Sequence, residues 1–420
     1  MVKPWLSRRD FLNTSTSTGL ATSLAVGAGL PASWLKQLAA NTAGGERILI
    51  VLQLSGGNDG LNTVVPYRNE AYRKARPKLG MKADEIVKIN DEIGLHPQLK
   101  SFEPFLSDGR MSVVQGVGYP SPNRSHFESM DIWHSCQDKI VRNRQGWLGR
   151  WISGAQTSGE QTNVKSNSLG LHLGSEQQPL ALSARGVQVP SIASADQFKL
   201  KVQQSENAIG SEPALVDSTE SNPTNDSDDL LNFVQSTTQL ALAASERLSK
   251  ALSNSNEEGD FPKTDLGEKL KIISRLILAG LETRVYYVSL DGFDTHSQQP
   301  LAHAGLMRQW SEAVNALLKR LKEAGESERV LVMTFSEFGR RVAENASEGT
   351  DHGAAAPMFF CGPKLPKQFI GSIPSLTDLE DGDLKFHTDF RSVYAAVIEQ
   401  WFKTKSEPVL GSKYEPIALC

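Results

Sequence analysis

The residues able to do chemistry stand in short clusters beside apolar runs. Asp59 follows the run 46–54, and Asn123-Arg124-Ser125-His126 follows 111–117. Asp294-Thr295-His296 comes after 285–290, and Ser336-Glu337-Phe338-Gly339-Arg340-Arg341 after 330–335. Asp351-His352-Gly353 immediately precedes 357–361, and His387-Thr388-Asp389 precedes the final helical pattern. Carboxylates and imidazoles gathered this way suit a divalent metal of hard or borderline character. A serine hydroxyl at the start of a helix sits where developing negative charge is stabilised, which makes Ser125 a candidate nucleophile. Arg124 beside it could clamp an oxyanion. Each feature also has a plainer reading. Asp59 between glycines is a natural turn residue. Ser125-His126-Phe127-Glu128 fits the S-x-x-E capping box, Asp294-Thr295 fits a helix cap, and Arg340-Arg341 fits a solvated face or a structural ion pair. His303 and His387 read as incidental. The chain has no G-x-S-x-G elbow, Walker loop or H-E-x-x-H, the common signals of hydrolases, NTPases and zincins.

These clusters need elements to hold them. The five apolar runs are short, aliphatic or β-branched, and bounded by glycine, proline or polar residues, the pattern of buried strands. Helical spacing appears over 95–106, 230–252, 266–281, 303–324 and 390–402. Alternating strands and helices predict an α/β fold with a mostly parallel sheet flanked by helices. In such sheets ligands bind beyond the carboxyl ends of the strands. Segments 154–167 and 203–229 are rich in Ser, Asn, Gln, Glu and Thr, so an inserted cap region is expected around 154–262, with a few short strands over 169–190. Trp133, Trp147 and Trp151 read as core. No internal repeat is visible.

The chain carries 44 Lys and Arg against 48 Asp and Glu, a formal charge of −4. That balance gives no reason to expect nucleic acid as a partner. Ser7-Arg8-Arg9-Asp10-Phe11-Leu12 followed by a short apolar stretch over 19–30 reads as a twin-arginine (Tat) signal peptide spanning 1–40. The stretch is too short and too polar to cross a membrane, and nothing later resembles a membrane span. Loss of 1–40 removes Lys3, Arg8, Arg9, Lys36 and Asp10, a net +3, leaving −7. The expected location is periplasmic or extracellular, with the Tat translocase as a partner during export. Cys136, Cys361 and Cys420 allow one disulfide at most.

Several segments carry a resemblance. LQLSGGNDGLNTVVPY (52–67), GVGYPSPNRSHFESMDIW (116–133), WLGRW (147–151), VSLDGFDTH (288–296), MTFSEFGRRVAENAS (333–347) and GTDHGAAAPMFFCGP (349–363) are similar to an exported bacterial family. It is the "domain of unknown function fifteen-oh-one" family, placed in the alkaline-phosphatase-like superfamily with sulfatases and phosphodiesterases. The resemblance covers nearly all of residues 45–420 and implies an alkaline-phosphatase-like domain. It further implies a divalent metal (Zn, Mn or Ca) and a small-molecule phosphate or sulfate ester as substrate. By the superfamily's order, Asp59 takes the first metal position, Ser125 the nucleophile, and Asp294 with His296 the third position. The superfamily's Asp-His pair has two mappings. Strand context puts it on Glu337 and Phe338, with His352 as the late histidine; Phe338 cannot ligate, which leaves an altered site. The other mapping puts the pair on Asp351 and His352, with His387 as the late histidine. The resemblance therefore implies either a metal-dependent ester hydrolase or a non-catalytic exported binding protein that retains the fold.

Overall fold

The computed structural model describes residues 46–137, 144–158, 169–193 and 260–420. The signal sequence, the helical pattern over 230–252 and most of the expected insertion lie outside the described residues. Of that insertion, 154–158 close a helix and 169–193 supply two strands.

The aliphatic runs form the strands of one nine-stranded sheet. They are β1 (Ile48–Leu54), β2 (Met111–Gly118), β3 (Gly170–Leu173), β4 (Ser191–Ile192), β5 (Val285–Leu290), β6 (Val330–Phe335), β7 (Ala356–Cys361), β8 (Phe369–Ile370) and β9 (Thr388–Asp389). The order is β8-β2-β7-β6-β1-β5-β3-β4, with β9 also pairing β2. All pairs are parallel except those of β7, which runs against both β2 and β6. β1 is buried along its whole length. Ile48, Ile50, Leu52 and Leu54 face one core, and Leu49 and Val51 the other. Two buried faces explain why the strand reads as a continuous apolar run. Each such side chain contributes about 1.5–3 kcal/mol by leaving water.

Among the described residues, five helices cover the two faces: α1 (His126–Ser135), α2 (Trp147–Ser158), α3 (Asp265–Leu278), α4 (Gln299–Glu323) and α5 (Phe390–Ala396). α3 and α4 pack on the first face through residues such as Leu270, Ile273, Trp310 and Leu317. The others pack on the second, where Trp133 stacks on Phe390 at 4.4 Å and Trp147 on Tyr394 at 4.3 Å. The tryptophans are core, as their context suggests. That stack fastens α1, whose first residue is His126.

The helical spacing over 95–106 does not give one helix. Gly94–Leu95 is a short strand, Pro97–Phe102 a 3-10 turn and Glu103–Ser107 a short helix. Pro97 and Pro104 lack the N–H a continuous helix needs. The final pattern changes after Ala396 into a π-turn over Val397–Trp401, and Trp401 Nε1 donates to the Ile48 carbonyl at 3.1 Å. Cys136 and Cys361 are buried and unpaired. No helix among the described residues is long and apolar enough to cross a membrane.

Candidate metal centre

The loops after β1, β2, β5 and β6 meet at one edge of the sheet. β7 runs the other way, and its first residue pairs with Val117 near the end of β2. The loop entering β7 therefore reaches the same edge and brings Asp351 and His352 with it.

The first loop passes through Gly56 and Gly57, with φ of +116° and +77°. A Cβ on Gly57 would stand 2.3 Å from the Phe338 ring, and one on Gly56 2.5 Å from Asp294 N. Both the conformation and the close approach require glycine. Arg340, only 2% exposed, ties the loops together. Its guanidinium donates to the carbonyls of Gly57 (2.6 Å), Thr350 (2.7 Å), Phe293 (2.8 Å) and Gly56, and to Asp294 Oδ1 at 2.8 Å. The Arg-Arg pair thus divides, with its first member serving as a buried structural tie.

Three imidazoles converge above this tie. His126 Nδ1 lies 2.9 Å from Glu337 Oε1, His296 Nδ1 3.2 Å from Asp351 Oδ1, and His352 Nδ1 2.8 Å from the Arg124 carbonyl. Carboxylate and carbonyl oxygens only accept, so each Nδ1 carries the hydrogen and each Nε2 presents a lone pair. Those Nε2 atoms gather about Asp294 Oδ1, at 3.0 Å for His352, 3.1 Å for His296 and 3.5 Å for His126. The Nε2 atoms of His296 and His352 are 2.9 Å apart. His126 Nε2 is buried without a hydrogen-bond partner. The donor atoms of His126, Asp294 and His352 all fall within 4.8 Å of one another. Lone pairs facing one another repel, and a cation among them removes the repulsion. Donors in a tetrahedron around zinc are ~3.3 Å apart, against 2.9–3.5 Å for the four contacts here. The residues fit a divalent cation.

The charges agree. Burial raises the Asp294 carboxyl, but the groups around it, the hydrogen-bonded Arg340 guanidinium among them, outweigh burial and hold it down at about 2. The hydrogen bond that His126 donates to Glu337 leads the causes that raise it. Asn345 first, and His296 after it, lower Asp351.

Asp59 stands apart. Its buried Oδ2 pairs with Arg76 Nη1 at 2.6 Å and accepts from Gln299 Nε2, while Oδ1 caps a helical turn by accepting from Asn62 N at 3.3 Å. The sequence suggests a metal ligand; the structure gives this carboxylate to Arg76. Glu337 and Asp351 also differ from the ligand assignment, because each grips the outer nitrogen of an imidazole. Phe338 packs at a tilt against His126 at 4.9 Å and His352 at 4.7 Å. His387 lies away from the cluster, with Nε2 2.8 Å from the Ser372 carbonyl. Arg124 is likewise no open clamp, since Nε and Nη2 both donate to Asp383 Oδ2, at 2.8 and 2.5 Å. Ser125 is the exposed N-cap of α1 and makes no side-chain cap hydrogen bond. Its half of the capping box does not form, and the hydroxyl is left to solvent.

The family described as "Protein of unknown function (DUF1501)" matches residues 46–379. The chain belongs to DUF1501. No curated protein matches this DUF1501 chain. Among solved structures it is similar to a protein in the alkaline phosphatase superfamily from Vibrio parahaemolyticus, with TM-score 0.41, 7% identity, 88% of this chain covered and 69% of that one. A putative sulfatase from Bacteroides thetaiotaomicron gives TM-score 0.38 and 10% identity over 89% and 76% of the two chains. The C-terminal periplasmic domain of EcEptC from Escherichia coli, in complex with Zn, gives 0.36 and 10% over 76% and 74%.

Two residues that decide these assignments receive no role from the sequence. His126 is visible there as part of a strand-end cluster, but Ser125 beside it draws the attention. Arg76, the partner of Asp59, has no such signal, for it follows a short helix far from any cluster.

Proposed function

We propose that this chain is an exported, divalent-metal-dependent hydrolase of phosphate or sulfate esters. One observation carries the reading: three imidazoles, each fixed by an oxygen on Nδ1, turn their free Nε2 atoms toward one carboxylate. His126, Asp294 and His352 are assigned as ligands, with His296 as a fourth. Three nitrogens and one oxygen favour a borderline ion such as zinc over calcium, which takes six to eight oxygens. A bound cation supplies Lewis acidity toward an ester oxygen.

The chain supplies the rest. Ser125 Oγ, without a cap hydrogen bond at the head of the ten-residue α1, is assigned the attack, and the amide dipoles of the helix favour the negative charge it develops. Glu337 and Asp351 keep His126 and His296 oriented. Arg340 holds Asp294 in place.

A second reading, a metal-binding protein without turnover, draws on Phe338, an apolar ring packed against two of the imidazoles. Elemental analysis of protein purified without chelator, followed by an ester screen, tests both. Bound zinc with turnover that Ser125→Ala abolishes upholds the hydrolase. Bound metal with no turnover of any ester favours the second reading, and absence of metal uptake refutes both. Export through the Tat route to the periplasm belongs to the same proposal. Retention of a reporter fused after residue 45 when Arg8 and Arg9 are both replaced by Lys tests it.

A further inference from the structure

Two half-exposed arginines share one buried carboxylate beside the metal centre. Arg124 Nε and Nη2 bind Asp383 Oδ2, and Arg341 Nε stands 3.6 Å from Asp383 Oδ1. The side chains of Arg124 and Arg341 are 39% and 38% exposed, and that of Asp383 3%. Asp383 Oδ1 has no hydrogen-bond partner, and among the described residues the Arg341 guanidinium makes no hydrogen bond. Asp381 also acts on Asp383, and Asp351 on Arg341, so what the pair offers an anion is directional guanidinium donors, not surplus charge.

The backbone fixes where this pair sits. The Arg124 carbonyl accepts from His352 Nδ1, and Arg124 lies two residues before His126. Arg341 N donates to the Asp351 carbonyl at 3.1 Å, and its neighbour Arg340 forms an antiparallel bridge with His352. Both arginines therefore flank the segment that presents His352. A planar guanidinium fork matches phosphate, sulfate and carboxylate alike.

We propose that the substrate carries a second anionic group, held by Arg341 beside the metal centre, with Arg124 steadying the Asp383 carboxylate that Arg341 leans on. The ester identity of the ligand rests on the hydrolase reading; the guanidinium pair does not. Asp383 keeps both forks aligned, and the unused donors of Arg341 take the anion.

The test compares binding of propyl phosphate with that of α,ω-alkanediol bisphosphates of increasing length. It uses calorimetry on the purified full chain, with and without added zinc. The expected result is a bisphosphate preference of about tenfold or more at one chain length, which corresponds to one charge-assisted contact. Arg341→Ala should remove that preference and leave propyl phosphate binding in place, and Arg341→Lys should restore part of it. Urea midpoints confirm that both variants fold. Equal affinities for the mono- and bisphosphates at every length overturn the proposal, as does a preference that survives Arg341→Ala. Zinc uptake is read separately. If zinc does not bind, an Arg341-dependent bisphosphate preference still upholds the pair while the hydrolase reading falls.

Discussion

Glu337 is the most informative residue to change. It is fully buried, and its Oε1 accepts from Gly56 N at 2.8 Å and from His126 Nδ1 at 2.9 Å. Glu337→Gln keeps the shape and one accepting oxygen. The amide nitrogen then takes the place of Oε2, 3.3 Å from Ser336 Oγ, which can accept. The fold should hold, with a stability change of about 1 kcal/mol. What is lost is the charge behind His126. Removing an outer partner of a metal-bound histidine lowers metal affinity about 10–100-fold, or ~1.4–2.7 kcal/mol. A competition titration of zinc against a chromophoric chelator, run on wild type and variant, reads this directly. Glu337→Ala is the contrast: it strands the Gly56 N–H and the His126 ring, at a cost to stability of about 1–3 kcal/mol for each buried group left unpaired. A Glu337→Gln protein that folds normally and binds zinc as tightly as wild type would refute the argument that His126 is a ligand fixed through its outer nitrogen.

Other outcomes are equally definite. His96, His134 and His303 are held neutral, burial lowering them to about 3, 3 and 4. Unfolded imidazoles titrate near ~6.5, so below that pH the unfolded chain binds more protons and stability falls until the folded values are reached. Between about pH 7 and 5 each histidine removes about 2 kcal/mol, roughly 5–6 in all; urea midpoints that stay flat over this range would exclude it. Ser125→Ala should bind zinc like wild type while losing ester turnover, measured by calorimetry and by phosphate or sulfate release. Gly57→Ala should destabilise by more than about 1 kcal/mol, because it adds a positive-φ penalty to a clash with Phe338, and thermal unfolding reads it. A thiol reagent should titrate Cys420 in the native protein and all three cysteines in denaturant, since burial raises Cys136 and Cys361 to about 12.

Strand runs such as 285–290 and 330–335 coincide with β5 and β6 residue for residue, because burial on both faces makes nearly every position apolar, Ser289 and Thr334 being the small polar exceptions. The convergence of the strand-end clusters was legible for the same reason. The direction of β7 was not. In a wholly parallel sheet, a residue preceding a strand lies at the far edge, so the place of His352 depends on a reversal that composition does not encode. Nor does sequence separate a carboxylate that ligates from one that orients an imidazole: Asp294 stands two residues before His296, and Asp351 one before His352. Arg340 and Arg341 are chemically identical neighbours, yet one is buried and the other half-exposed. Strand register decides which is which.

The tie made by Arg340 has a consequence for the conditions under which the fold survives. Its guanidinium joins Gly56 to a position 284 residues later, the kind of long-range closure that small exported proteins often entrust to sulfur. Here the crosslink has no oxidation state. Cys136 and Cys361 stay unpaired in the interior, so neither assembly nor persistence of the site depends on an oxidant. The binding edge is complete whether its surroundings are reducing or oxidising.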